Sequence, residues 1–76
     1  MPYGSNADLP GTVRGVLPRH AQDIYREAFN HAWEEYADPD ERRDESESRE
    51  EVAHKVAWAA VKRRYHKVGD IWRERS

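Results

Sequence analysis

Seventy-six residues are enough for one domain and lie near the lower limit for a self-sufficient core, because a chain this short buries only about 60% of its unfolded surface. The chain has no cysteine, which excludes disulfides and thiolate metal sites and fits a reducing, cytoplasmic setting. Charged residues make up 37% of the chain and nearly cancel to a net −2, and no apolar run approaches the roughly 20 residues of a membrane span, so composition predicts a soluble, unexported protein with no direct membrane insertion.

The first residues, Met1–Ser5, read as extended, because Pro2 and Gly4 disfavour helix. Asp8 is placed as an N-cap ahead of Leu9 and Pro10. Leu9, Val13, Val16 and Leu17 then recur at helical spacing and predict a short helix over 9–16, ended by Pro18. Residues 17–36, LPRHAQDIYREAFNHAWEEY, form the most regular stretch. Ala21, Ile24, Tyr25, Ala28, Phe29, Ala32, Trp33 and Tyr36 make an unbroken apolar stripe, and charged or amide side chains fill the opposite face. That stripe reads as core, with Trp33 among the buried aromatics whose truncation should unfold the domain.

The stripe stops at Asp38-Pro39, since a residue before proline is pushed out of the helical region. Residues 38–48, DPDERRDESES, contain no apolar side chain and read as an acidic, mobile connection. Ser48-Arg49-Glu50-Glu51 is a capping box and predicts a second long helix over 49–66. Val52, Ala53, Val56, Ala57, Ala60, Val61 and Tyr65 mark one face of it, and Trp58 and Ala59 carry apolar character round the side. A helix apolar over more than half its girth is expected to be covered on more than one side. Gly69 breaks it. Ile71 and Trp72 are β-formers in a piece too short to stand alone, and the natural partner for that piece is the extended N-terminus around Pro2–Ser5. The expected architecture is therefore mainly α (α+β), one domain over 1–76. It has two long helices, a short N-terminal helix and a small two-stranded sheet joining the termini.

Charge is segregated along the chain. Residues 38–51 carry a net −5 and residues 52–76 a net +5. Such a dipolar layout either steers a partner or is neutralised within the fold. No Ser or His grouping meets the geometry of a nucleophilic or acid–base site, and the paired acids lie on polar faces or in a first helical turn, so no enzyme is expected. Histidine spacing is equally uninformative: His31 and Glu35 are four apart and His20 and Asp23 three apart, and two ligands on one helix do not make a metal site. A calcium loop opening at Asp38 fails because Arg42, Arg43 and Arg49 stand where an oxygen ligand, glycine and glutamate are needed. Weak calcium sensing by the acidic run stays open; no metal or cofactor is expected. His54 reads as a packed, hydrogen-bonded residue, and His20 as bonding an N-terminal loop.

Two surfaces are left as candidate contacts. One is basic: Lys62, Arg63, Arg64 and Lys67 surround Tyr65, with Trp72 and Arg73 following. Cations with interleaved aromatics suit phosphates and stacked bases, although basic residues also belong in any last helical turn. The other is the acidic segment Asp38, Asp40, Glu41, Asp44, Glu45 and Glu47, suited to a positively charged partner.

PY at 2–3, DLP at 8–10, LPRHAQDIYREAFNHAWEEY at 17–36, SREEVAHKVAWAAVKRRY at 48–65 and Trp72 together make the chain resemble ChaB, a family of small bacterial proteins, with viral members, described as regulators of cation transport. The departures fall in the acidic connection and the C-terminal tail. The resemblance implies a compact helical fold with a small β component and a regulator of a ChaA-type sodium or calcium/proton antiporter; the chain itself is expected to be a monomer. The resemblance brings no catalytic residues with it. Some viral members are associated with DNA, so a DNA- or RNA-binding accessory role is the alternative it leaves open.

Overall fold

In the computed structural model, which describes residues 3–38 and 48–75, a 3₁₀ turn over Asn6–Asp8 leads into α1 (Gly11–Arg14). Two long helices follow, α2 (Arg19–Glu35) and α3 (Arg49–Arg64), and the chain ends in β1 (Tyr65–Val68) and β2 (Ile71–Glu74). The helix expected over 9–16 is shorter, Gly11–Arg14. Asp8 closes the 3₁₀ turn and does not cap α1, because Leu9 and Pro10 are extended at φ −66°, ψ 151° and φ −56°, ψ 146°. Pro10 holds the N-cap position, and Leu9 and Val13 still reach the core at 2% exposure each.

The helices α2 and α3 run antiparallel. His20 meets Tyr65 at one end, Tyr25 meets His54 in the middle and Trp33 meets Arg49 at the other end. The apolar stripe of α2 does what its period dictates: Ala21, Tyr25, Phe29 and Ala32 have no exposed surface. Across from them lie Val52, Ala53, Ala57 and Val61 of α3. Ser48 caps α3 as its sequence predicts, its hydroxyl accepting from the Glu51 amide at 3.0 Å.

The aromatic rings form a continuous chain. Trp72 packs on Trp58 with centroids 5.7 Å apart, Trp58 stands edge-on to Tyr25 at 5.4 Å, and Tyr25 stacks on Phe29 at 6.2 Å. Phe29 then meets Tyr3 at 4.6 Å and Trp33 at 6.0 Å, and the Arg49 guanidinium lies 4.2 Å over the Trp33 ring. So many offset and edge contacts concentrate large burial in a chain with little other core.

The small sheet exists, but its pairing differs from the expected one. It is a hairpin: β1 and β2 are antiparallel in the register Tyr65↔Glu74, His66↔Arg73, Lys67↔Trp72 and Val68↔Ile71. The N-terminal strand expected to pair with β2 is engaged elsewhere. The Tyr3 amide donates to Asn30 Oδ1 at 2.8 Å, and Asn30 Nδ2 donates to the Tyr3 carbonyl at 2.8 Å. A helix side chain has thus taken both backbone groups that a strand partner would need. Asn6 adds a second tie, donating to Asp23 at 2.6 Å and accepting from Arg26 at 2.7 Å. The helix predicted to reach residue 66 stops at Arg64, since Tyr65 is already extended at φ −129°, ψ 154°. The expected mobile connection falls mostly outside the described residues.

Candidate functional site

The last turn of α3 places Lys62, Arg63 and Arg64 in the open, spread round the helix by about 100° per residue. Cations there complement the partial negative charge of the helix end. Arg75 closes the same end: its amide donates to the Arg64 carbonyl at 2.7 Å and its Nε to the Lys62 carbonyl at 2.9 Å. That role was not legible in advance, because it depends on the hairpin bringing residue 75 back beside residue 64.

Strand alternation separates the other two basic candidates. Lys67 shares a face with Tyr65, Trp72 and Glu74, whereas Arg73 shares the opposite face with His66, Val68 and Ile71. The five predicted contacts therefore do not form one patch. The aromatics expected to serve as stacking platforms are committed internally. Tyr65 is 5% exposed and its hydroxyl lies 3.0 Å from His20 Nδ1; Trp72 is half-buried against Trp58. His20, expected to bond an N-terminal loop, instead joins α2 to the hairpin, with Glu74 Oε2 3.6 Å from the same nitrogen. Of the acidic candidates, Asp38 is exposed just beyond α2. Asp40, Glu41, Asp44, Glu45 and Glu47 lie outside the described residues.

His54 is held in the core region. It is hydrogen-bonded through Nδ1 to the Tyr25 hydroxyl, packs edge-on to Phe29 at 5.0 Å and has Glu50 Oε1 3.8 Å from Nε2. Tyrosine, histidine and glutamate in that order resemble a nucleophile, base and orienting acid. Tyr25 has no exposed surface, however, so its hydroxyl offers a substrate no approach. Burial pushes the Tyr25 phenol well above its ordinary pKa, with Tyr3 and Glu50 adding to the effect. Tyr65 is also raised, by burial first and then by Glu74, with Arg64 opposing. Among the described residues, no group of three or more His, Asp or Glu side chains is placed to hold a metal ion, and no helix is long and apolar enough to cross a membrane.

Away from the aromatic chain, a shallow groove of about 490 Å³ lies between α2 and α3. It is lined by Ile24, Glu27, Ala28 and His31 on one side and Ala60, Arg63 and Arg64 on the other. The α3 pattern predicts cover on more than one side, but Ala59 is exposed and Val56 and Ala60 are only half-buried.

Comparison with known proteins places this architecture. The ChaB family model matches residues 9–75. Curated proteins from Escherichia coli K12 and from Shigella flexneri, each named "Putative cation transport regulator ChaB", are 60% identical to the chain over 77 residues, covering all of both sequences. An NMR solution structure described by the same name superposes with a TM-score of 0.81 at 59% identity, covering 99% of this chain and 100% of the other. A family match over nearly the whole length, with identity this high and the same fold, leaves one reading: the chain belongs to the ChaB family.

Proposed function

We propose that this chain regulates cation transport as a non-enzymatic docking module, binding the cytoplasmic face of a ChaA-type sodium or calcium/proton antiporter. The observation that carries the reading is its full-length relationship to proteins named as cation transport regulators. The structure supports a docking role in physical terms. Aromatic side chains that would otherwise be free to bind a small molecule are packed against one another, while Lys62, Arg63, Arg64, Lys67 and Arg73 stand exposed. A module of this kind acts by binding one conformation of the transporter better than another, which shifts the population between them. Positive-inside loops of the antiporter would meet the acidic segment, or an acidic loop would meet the basic end of α3.

The nucleic-acid reading has less support. Its cations are divided between two faces, and Tyr65 and Trp72 are occupied by His20 and Trp58. Affinity capture from the native cell, followed by mass spectrometry, tests the choice. Recovery of a multi-span cation transporter is the expected result. Recovery of nucleic-acid machinery in its place, released steeply by salt, overturns it.

A further inference from the structure

We infer that the groove between α2 and α3 is a docking site for an acidic amphipathic helix of a partner protein. The inference deepens the docking reading above and rests on it. Three observations carry it. The floor is apolar and only half-covered: Ile24 and Ala28 come from α2, and Ala60 from α3. Two of those three are alanines, on facing helices, which lets a third backbone approach closely. Arg63 and Arg64 line one end, and among the described residues neither guanidinium has a carboxylate in ion-pair range.

The chemistry of the occupant follows. An apolar floor between two helices accepts the i, i+4 ridge of a third helix. Two unpaired arginines at one end call for Asp or Glu on the edge of that helix, since forked guanidinium–carboxylate pairing fixes register as well as charge. Glu27 on the opposite wall repels the same acids, so they belong on the α3 side. The site thus recognises a helix whose apolar ridge is bordered on one side by carboxylates.

The test uses the isotope-labelled full chain and a synthetic helical peptide of about four turns, with leucines on one ridge and glutamates beside them. A matched peptide carries lysines at the glutamate positions. The expected result is amide shifts grouped at Ile24, Ala28, Ala60 and Arg63 with the glutamate peptide, and binding at least about tenfold weaker with the lysine peptide. The double variant R63Q/R64Q, whose altered side chains are exposed, should keep its helical circular dichroism and lose that preference. Equal binding of both peptides, binding of neither, or shifts centred on Val68 and Ile71 overturns the inference. So do shifts that follow the chain's own concentration without peptide, which would assign the groove to a second copy. Antiporter vesicles indifferent to the chain, with the peptide preference intact, overturn only the transporter reading. Absence of the preference in the unmodified chain overturns the groove whatever the vesicles do.

Discussion

The hydroxyl of Tyr25 shows how much one atom can be asked to hold in so small a core. Glu50 beside Nε2 of His54 favours a proton there, which leaves Nδ1 to accept from the tyrosine. Tyr25 titrates at about pH 10 in an unfolded chain, and burial holds it higher in the fold. Up to about pH 9 the phenol is neutral in both states, and this group leaves stability unchanged with pH. Above pH 10 the unfolded chain releases a proton that the fold retains, so stability falls as pH rises until the folded pKa is passed. Urea unfolding between pH 7 and 11 should show that fall. Tyr25→Phe should cost about 1 kcal/mol at pH 7 and make the alkaline slope shallower; an unchanged slope would contradict the assignment. Core aromatics should also differ among themselves. Phe29 is fully buried, so Phe29→Ala should cost about 3–5 kcal/mol. Trp33 was expected to be equally critical, but it is half-buried. Trp33→Ala should cost about 1–3 kcal/mol and leave a folded chain, as read by thermal melts.

At the scale of elements, α2 and the start of α3 were the most legible parts. An unbroken 3.6-residue stripe and a capping box are local signals, and both ended where packing needed them. The hairpin was not read correctly. Tyr65 continues the Val61 side of α3, so the helical register runs on through residues that turn extended. The overlooked signal was Gly69-Asp70 between two short β-prone runs, a two-residue hairpin turn. Gly69 has φ +62°, and no other described residue has a positive φ, which is the type II′ pattern. A Cβ at Gly69 would meet nothing within 4 Å, so any cost of Gly69→Ala is one of backbone conformation. That cost should be about 1–2 kcal/mol, seen as faster amide exchange in β1 and β2 with α2 little changed. Protection equal to wild type would show that the turn is set by its strands. The N-terminal segment was misplaced for a different reason: the competing partner was a side chain, Asn30, which strand-pairing rules do not consider.

For the whole molecule, the candidate contacts were legible as residues and not as a surface. Lys62, Arg63, Arg64, Lys67 and Arg73 are exposed as their chemistry demands, but strand alternation and helix twist aim them in different directions. The groove was illegible because it is defined by what fails to cover Ala28 and Ala60, and periodicity suggests where a face is apolar without saying what lies against it. The aromatics hold the fold, and the five basic candidates stay outside it, where the proposed docking would use them. The most direct test of that account is cation/proton exchange in everted membrane vesicles carrying the antiporter, titrated with the purified, folded chain. A saturable change in exchange rate, diminished as salt screens the docking charges, is predicted. An exchange rate that stays constant up to an excess of folded chain would contradict it.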